Sequence, residues 1–258
     1  MLTDKSTPTL RRVALLALVT AVTTIAAAAA PSSGPTQKQK DVWKIEADNA
    51  RIIGGYGDNF AYDGENVRPL DGTAHMTVDP ENGTAQLEIR VQTTEESGSI
   101  QFSKDKSFEG DIRIVQQLDT SKMKMARIET DTYLHGSTGN EAPVMPNIYN
   151  YFATWGPAKV FVNGEEVIPM IGSHTMFSEQ ARGEDGKIAN EQGQVYSPMA
   201  AEKTGFTDPS ETEFHFVAHT TEPDQDNFPP HTGWMHLHFS NVKVIQKPAG
   251  EEIPYQGD

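Results

Sequence analysis

The sequence predicts an all-β protein, an antiparallel sandwich or barrel of jelly-roll or lipocalin-like size with one or two short helices, behind an N-terminal signal peptide. Two observations predict the strands. Apolar and polar residues alternate along several segments, most regularly along TAQLEIRVQ at residues 84–92. Turn residues such as Asn82-Gly83 and Asn163-Gly164 separate neighbouring segments. Together they predict hairpins of half-buried strands.

Residues 1–30 are predicted to be a secretory signal peptide. Basic residues precede an apolar run that starts at Val13 and ends in small residues with Ala-x-Ala cleavage choices. We expect cleavage near Ala30 and a mature chain in the periplasm or outside the cell; a retained leader would act as a membrane anchor. The Arg11-Arg12 pair leaves the twin-arginine route open, although its neighbours favour ordinary export of the unfolded chain.

Charge and cysteine content limit the functions that we expect. The chain has 36 Asp and Glu against 21 Lys and Arg, a formal net charge of -15, and no cysteine. Such a charge repels nucleic acid and anionic membranes, so neither is an expected partner. Without thiolates, a bound metal has to be held by His, Asp, Glu, Met or backbone oxygen.

The organisation along the chain is simple. The polar residues 31–41, which include Pro, Gly and Ser, are predicted to be a flexible spacer, and residues 42–258 a single all-β domain. Strands are expected, besides the two hairpins at residues 74–91 and around 163–164, at residues 43–53, 100–102, 111–118, 125–133, 213–219 and 234–245.

Two short helices are predicted to interrupt the strands. Residues 146–156 space four apolar side chains at helical intervals and end in a glycine, so this segment is expected to plug one end of the sheet structure. In residues 197–205, Ser197 can cap a helix, Pro198 suits its first position, and Gly205 can take the left-handed conformation past its end.

The last two predicted strands each combine an apolar side with a side that carries histidines. Because neighbouring strands usually pair, and because both apolar sides must face the core, the two histidine sides are expected to share one face of the sheet. That face would hold Glu213, His215 and His219 from the first strand, and Trp234, His236 and His238 from the second.

This shared face predicts a metal site. Three histidines with a carboxylate or an open position are a ligand set for zinc, copper, manganese or non-haem iron. His215, His236 and His238 are the first-choice ligands, with Glu213 or His219 as the fourth. The alternative is purely structural, since histidine tolerates half-burial on a polar strand face.

Other residues suggest weaker candidates. His174 and Glu179, in a predicted loop, could move protons if the protein is a metalloenzyme. Met176 lies two residues after His174, a pairing that would suit copper. The acidic stretch at residues 222–227 would suit a loop calcium site.

Two functions are therefore predicted from the sequence, with a structural envelope protein as a third class. The first is an exported metal-binding β-protein or simple metalloenzyme. The second is a module that binds a glycan or another small molecule, in which Trp234 would form an aromatic platform. The sequence predicts neither the substrate nor the oligomeric state.

Overall fold

The computed structural model describes residues 41–253 except residue 59 and residues 200–206. No helix is present among these residues. The strands are β1 (Trp43–Gly55), β2 (Arg68–Pro69), β3 (Asp71–Asp79), β4 (Thr84–Gln92), β5 (Ile100–Ser103), β6 (Lys106–Phe108), β7 (Asp111–Asp119), β8 (Arg127–Leu134), β9 (Ile148–Val162), β10 (Glu165–Gln180), β11 (Asp208–His219) and β12 (Trp234–Gln246).

Eight strands form a closed antiparallel barrel. Strands β1, β3, β4, β7, β9, β10, β11 and β12 pair in chain order, and β12 pairs with β1 to close the ring. Strand β8 adds to the outside of this path by pairing with β9, β2 pairs with β1, and β5 and β6 form a separate ribbon. The prediction of an antiparallel all-β fold is confirmed, and the barrel is the alternative that the chain adopts.

Alternating side chains fill the barrel interior. Phe214 and Phe216 from β11 and Leu237 and Phe239 from β12 belong to the main apolar cluster and are fully buried. A polar group lies among these apolar residues: Thr154 Oγ1 donates to Gln116 Oε1 at 3.0 Å, Gln116 Nε2 donates to Ser173 Oγ at 2.8 Å, and Ser173 Oγ donates to the Gly156 carbonyl at 2.8 Å. Each of these buried groups has a partner, as buried polar groups require.

A second apolar cluster covers the outer face of β9 to β12. Met176 and Trp234 contribute from the barrel wall, while other members come from the connecting segments. These connections are tied together by hydrogen bonds, for example from Tyr196 OH to the Met145 carbonyl at 2.6 Å. The segments that join the strands therefore bury one stretch of outer barrel wall, and the members they supply are Phe60, Met145, Ala181, Ile188 and Tyr196.

The helix predicted at residues 146–156 is wrong, because Ile148–Val162 is strand β9. Phe152 and Thr154 face the barrel interior, whereas Ala153 and Trp155 pack in the outer cluster. A strand that is buried on both sides is apolar nearly throughout, so its spacing can imitate that of a helix. Within the second predicted helix, Pro198 and Met199 form a turn, and residues 200–206 lie outside the described part of the chain.

The predicted hairpins are present. Residues 71–79 pair with residues 84–92, and β9 pairs with β10 across Asn163 and Gly164, whose φ angles of 52° and 84° suit a type I′ turn. Among the described residues there is no helix long and apolar enough to span a membrane. The predicted leader and most of the predicted spacer, residues 1–40, lie outside the described residues.

Candidate metal centre

The register of β11 and β12 brings the histidine sides of the two strands together. His215 pairs with His238 and Val217 pairs with His236, so both apolar sides face the barrel interior. The histidines therefore lie on the outer face of the wall, as the alternation predicts. The connecting segments described above cover this face. The sequence pattern predicted the face but not its cover.

Glu213 occupies the middle of the histidine group. Its Oε1 lies 2.7 Å from His215 Nε2, and its Oε2 lies 2.9 Å from His238 Nε2. The backbone N–H groups of Ala181 and Arg182 also donate to the two carboxylate oxygens, at 2.9 and 3.2 Å. The carboxylate and both imidazoles are 0% exposed. Glu213 is thus a buried anion with four hydrogen-bond donors.

His236 extends the group by one imidazole. Its Nε2 lies 2.9 Å from His215 Nδ1, and its ring stacks on Phe60 with ring centroids 5.5 Å apart. Since His215 donates through Nε2 to the carboxylate, its Nδ1 accepts when His236 carries its proton on Nε2. Hydrogen bonds therefore join His236, His215, Glu213 and His238 in one buried chain.

The electrostatics set the protonation states. Burial alone would raise the pKa of Glu213, but the adjacent imidazole of His215 and the hydrogen bonds from His215 and His238 together hold this pKa well below its ordinary value. Burial lowers the pKa of His238 to about 4, against an opposing hydrogen bond to Glu213. Burial also holds the pKa of His236 well below its ordinary value. At neutral pH Glu213 is charged while His236 and His238 are neutral, the forms in which these side chains bind metals.

Arg182 is a further charged residue at this site, and its role was not predicted. Its side chain is fully buried, its guanidinium lies 5.3 Å from the centre of the Phe60 ring, and it donates to the Gly186 and Ala61 carbonyls. Burial lowers its pKa to about 10, while attraction to Glu213 opposes that change. Arg182 therefore stays charged and offsets the buried carboxylate. A single arginine in a polar segment gives no periodic signal that could have identified it.

The side chains of Glu213, His215 and His238, here called the triad, could hold a metal ion, since their ligand atoms lie within 4.8 Å of one another. In a tetrahedral site with bonds of about 2.0–2.1 Å, neighbouring ligand atoms are about 3.3 Å apart. The two contacts to Glu213 are 2.7 and 2.9 Å, which are hydrogen-bond distances. An ion would therefore replace the two shared protons and push the ligands apart by about half an ångström.

Two of the residues predicted to lie on the histidine face, His219 and Trp234, do not belong to this group. His219 stacks on His231 with centroids 4.1 Å apart, and its Nδ1 contacts the Thr220 carbonyl at 2.9 Å. It is displaced from His215 by about 13 Å along the strand, at about 3.3 Å per residue, so the structure does not bring these two predicted ligands together. Trp234 is only 1% exposed and packs over Gly54. Trp234, the residue predicted to form an aromatic platform, therefore presents no accessible ring surface in this structure.

The predicted proton-transfer residues are separated from each other. His174 lies in β10, not in a loop, and is half-buried on the outer face opposite Trp155 and Val217. Ser178 pairs with Glu213, so the next residue in β10, Glu179, points to the other face of the strand. Burial and the nearby charge of Asp208 raise the pKa of Glu179. Glu179 is therefore not on the histidine face and does not serve the triad.

The predicted calcium loop has a visible structural role. Asp224 accepts a hydrogen bond from Tyr56 OH at 3.0 Å, and Asn227 Oδ1 accepts one from the Gly57 N–H at 3.2 Å. These contacts attach the segment between β11 and β12 to the turn that follows β1. Part of the oxygen set that a calcium ion would need is therefore used within the protein.

A scan against protein-family models, a search of curated proteins and a search of solved structures each gave no match for this chain.

Proposed function

We propose that this chain is an exported metal-binding β-barrel protein that holds a divalent transition metal between Glu213, His215 and His238. The observation that carries the proposal is a buried carboxylate bridging two imidazoles from neighbouring strands. One carboxylate with two imidazoles is a donor set for Zn²⁺, Mn²⁺, Fe²⁺ or Cu²⁺.

Charge balance argues for a fourth, anionic ligand. A divalent ion with the Glu213 carboxylate leaves one positive charge, and the buried Arg182 guanidinium adds another. Uncompensated charge is unfavourable in a buried site. A hydroxide or a small carboxylate would reduce it, whereas His236, which contacts His215, could fill the position only as a neutral ligand.

Burial favours holding the metal over catalytic turnover. All three proposed ligands are covered by the connecting segments of the outer cluster, so a substrate would reach the ion only after these segments move. As a simple metalloenzyme the protein would use the ion to activate water or a substrate oxygen. The glycan-binding alternative loses its supporting feature, because Trp234 is buried.

Export is supported by the sequence. The basic, apolar and small-residue regions of residues 1–30 have the order of a secretory leader, and the chain has no cysteine. The mass of the chain recovered from the periplasm or medium tests this part of the proposal. A chain shortened to a start near residue 31 supports it, and a full-length chain that stays in the cytoplasm contradicts it.

The metal site is tested by metal content. The mature protein is purified without a histidine tag, and its bound metals are measured beside a His215→Ala/His238→Ala variant and a His219→Ala control from the same strand face. We expect about one ion per chain in the wild type and the control, and a clear loss in the double variant. We also expect one of Zn²⁺, Mn²⁺, Fe²⁺ or Cu²⁺ to raise the melting temperature of the metal-free wild type.

The proposal is overturned by sub-stoichiometric metal in the wild type together with no melting shift for any of these four ions. Equal binding by the wild type and a folded double variant also contradicts it. If the double variant does not fold by circular dichroism, His238→Gln replaces it, because this single change keeps a polar side chain of similar length.

A further inference from the structure

A second pair of histidines lies under the same cover as the triad but is not joined to it by hydrogen bonds. His174 projects from the outer face of β10, and His135 lies in the turn that follows β8. Their ring centroids are 6.2 Å apart and the rings are nearly perpendicular, at 74°. His135 is buried, and His174 is half-buried with both of its ring nitrogens shielded from solvent.

The tautomer of His135 is fixed by its backbone partner. Its Nδ1 lies 2.7 Å from the Ala142 carbonyl, which can only accept, so Nδ1 carries the proton. The remaining nitrogen, Nε2, is then an unprotonated acceptor, and it is buried without a partner. A histidine whose second nitrogen is anchored to a carbonyl in this way has the arrangement that metal-binding histidines use.

The imidazole of His174 makes fewer hydrogen bonds than that of His135. Neither of its ring nitrogens makes a hydrogen bond of good geometry, and the weaker contact with the backbone of Thr154 only opposes the effect of burial on its pKa. Trp155 stacks on the ring at 4.7 Å and 25°, and Arg127 covers the Trp155 ring at 3.6 Å. Buried polar groups are rarely left unpaired, so two neighbouring imidazoles with unpartnered nitrogens are candidates for binding a ligand.

The surroundings favour a soft ion of low charge. Burial lowers the pKa of both His135 and His174, so both are neutral donors at neutral pH. The thioethers of Met145 and Met176 are buried in the same outer cluster. The nearby carboxylate of Glu141 is bound by Arg127 at 2.9 Å and so is not free to neutralise an ion.

We propose that His135 and His174 form a separate site for a monovalent soft cation such as Cu(I), with Met145 or Met176 as an additional thioether ligand. Imidazole and thioether are ligands that select Cu(I). A divalent ion at a site of neutral donors would bring more uncompensated charge into the interior than a monovalent one. This inference does not rest on the Glu213 triad, whose carboxylate suits a divalent ion.

The probe is Ag(I), a redox-stable stand-in for Cu(I), titrated into the metal-free mature protein in chloride-free buffer. The tryptophans of the chain are Trp43, Trp155 and Trp234, and Trp155 is the one stacked on His174. We expect one Ag(I) per chain and a change in tryptophan fluorescence that saturates with it. Trp155→Phe is expected to remove the fluorescence response while stoichiometry by mass spectrometry stays at one.

The variants locate the ion. We expect His135→Gln and His174→Gln each to weaken Ag(I) binding at least tenfold, and Met176→Leu to weaken it less. We expect the His215→Ala/His238→Ala variant to keep it. Competition with a chromophoric Cu(I) chelator under anaerobic reducing conditions repeats the comparison with Cu(I).

Two results would overturn the inference. One is Ag(I) and Cu(I) binding by a folded His135→Gln/His174→Gln variant that equals binding by the wild type. The other is loss of soft-ion binding in the triad variant but not in the histidine-pair variants, which would place the ion at Glu213. Failure of the triad to bind any of Zn²⁺, Mn²⁺, Fe²⁺ and Cu²⁺ would contradict the proposed function and leave the Ag(I) result intact, so the two failures are distinguishable.

Discussion

Glu213 reaches His238 diagonally across the pair of strands β11 and β12. The residue directly opposite His238 is His215, yet the Glu213 carboxylate lies 2.9 Å from His238 Nε2. Diagonal neighbours in an antiparallel pair are about 7–8 Å apart at the backbone, so only a long side chain can close the gap. Glutamate therefore connects both strands where a shorter aspartate would not.

We predict that Glu213→Gln destabilises the metal-free protein by about 3 kcal/mol, the order expected when one partner is removed from a buried charged group. The two imidazole N–H groups and the backbone N–H groups of Ala181 and Arg182 would lose a charged acceptor. Buried Arg182 would also lose its counter-charge. Urea denaturation measures the change in the free energy of unfolding.

Glu211→Gln is the matched control for this prediction. Glu211 lies in the same strand, two residues away, and is exposed. Its substitution is expected to change the free energy of unfolding by no more than about 0.5 kcal/mol. Equal stability of the two variants would show that the buried carboxylate contributes nothing to the fold.

A second prediction concerns acid. Burial lowers the pKa of folded His238 to about 4, whereas an unfolded histidine titrates near about 6.5. Between these values the unfolded chain binds more protons, so the stability of the metal-free protein falls as the pH is lowered from about 6.5 to 4. The loss from this residue is on the order of 3 kcal/mol, and His236 and His174 act in the same direction.

The Glu213 carboxylate affects the pH dependence of stability only at lower pH. The pKa of folded Glu213 lies well below its ordinary value, so its stabilisation is lost below about pH 4.5, where the unfolded glutamate begins to protonate. Urea denaturation from pH 7.5 to 5 therefore isolates the histidines. His238→Gln is expected to flatten this profile and His75→Gln, at a side chain 56% exposed, to leave it unchanged. A profile that is flat in the wild type contradicts the prediction.

The buried polar group inside the barrel gives a third prediction. Thr154→Val keeps the shape of the side chain but leaves Gln116 Oε1 without its donor at 3.0 Å and removes the 2.7 Å contact with Thr175. We expect a loss of about 1–3 kcal/mol in the free energy of unfolding, the cost of an unsatisfied buried group. Thr73→Val, at an exposed position of β3, is the control, and an equal effect of both substitutions would contradict the interpretation.

Strand alternation predicted much of the site because its period does not depend on the rest of the fold. The apolar residues Phe216 and Leu237 had to face the core, and this alone placed His215 and His238 on one side of the sheet. The offset between the strands was not predictable, since it is set by pairing along their whole length. His219 shares the parity of His215 but lies too far along the strand.

The cover over the histidines could not be predicted. Phe60, Tyr196 and Arg182 come from segments with no periodic pattern, and they pack on the barrel wall through long-range contacts. The same cover makes β9 apolar on both sides, so the spacing of its apolar residues imitates that of a helix. A half-buried strand such as β4 alternates regularly because one side remains in water.

The approach of β1 to Trp234 gives the last prediction. A Cβ atom added at Gly54 would lie 2.7 Å from the Trp234 ring, closer than real Cβ contacts, and that side chain is only 1% exposed. Gly54→Ala is therefore expected to destabilise the barrel by about 1–3 kcal/mol, the usual cost of overpacking. At Gly172 in β10 the added atom would meet its nearest neighbour at 3.5 Å, an ordinary contact, so Gly172→Ala is the control. Thermal denaturation compares the two variants, and an unchanged melting temperature for Gly54→Ala would mean that Trp234 is packed loosely against β1.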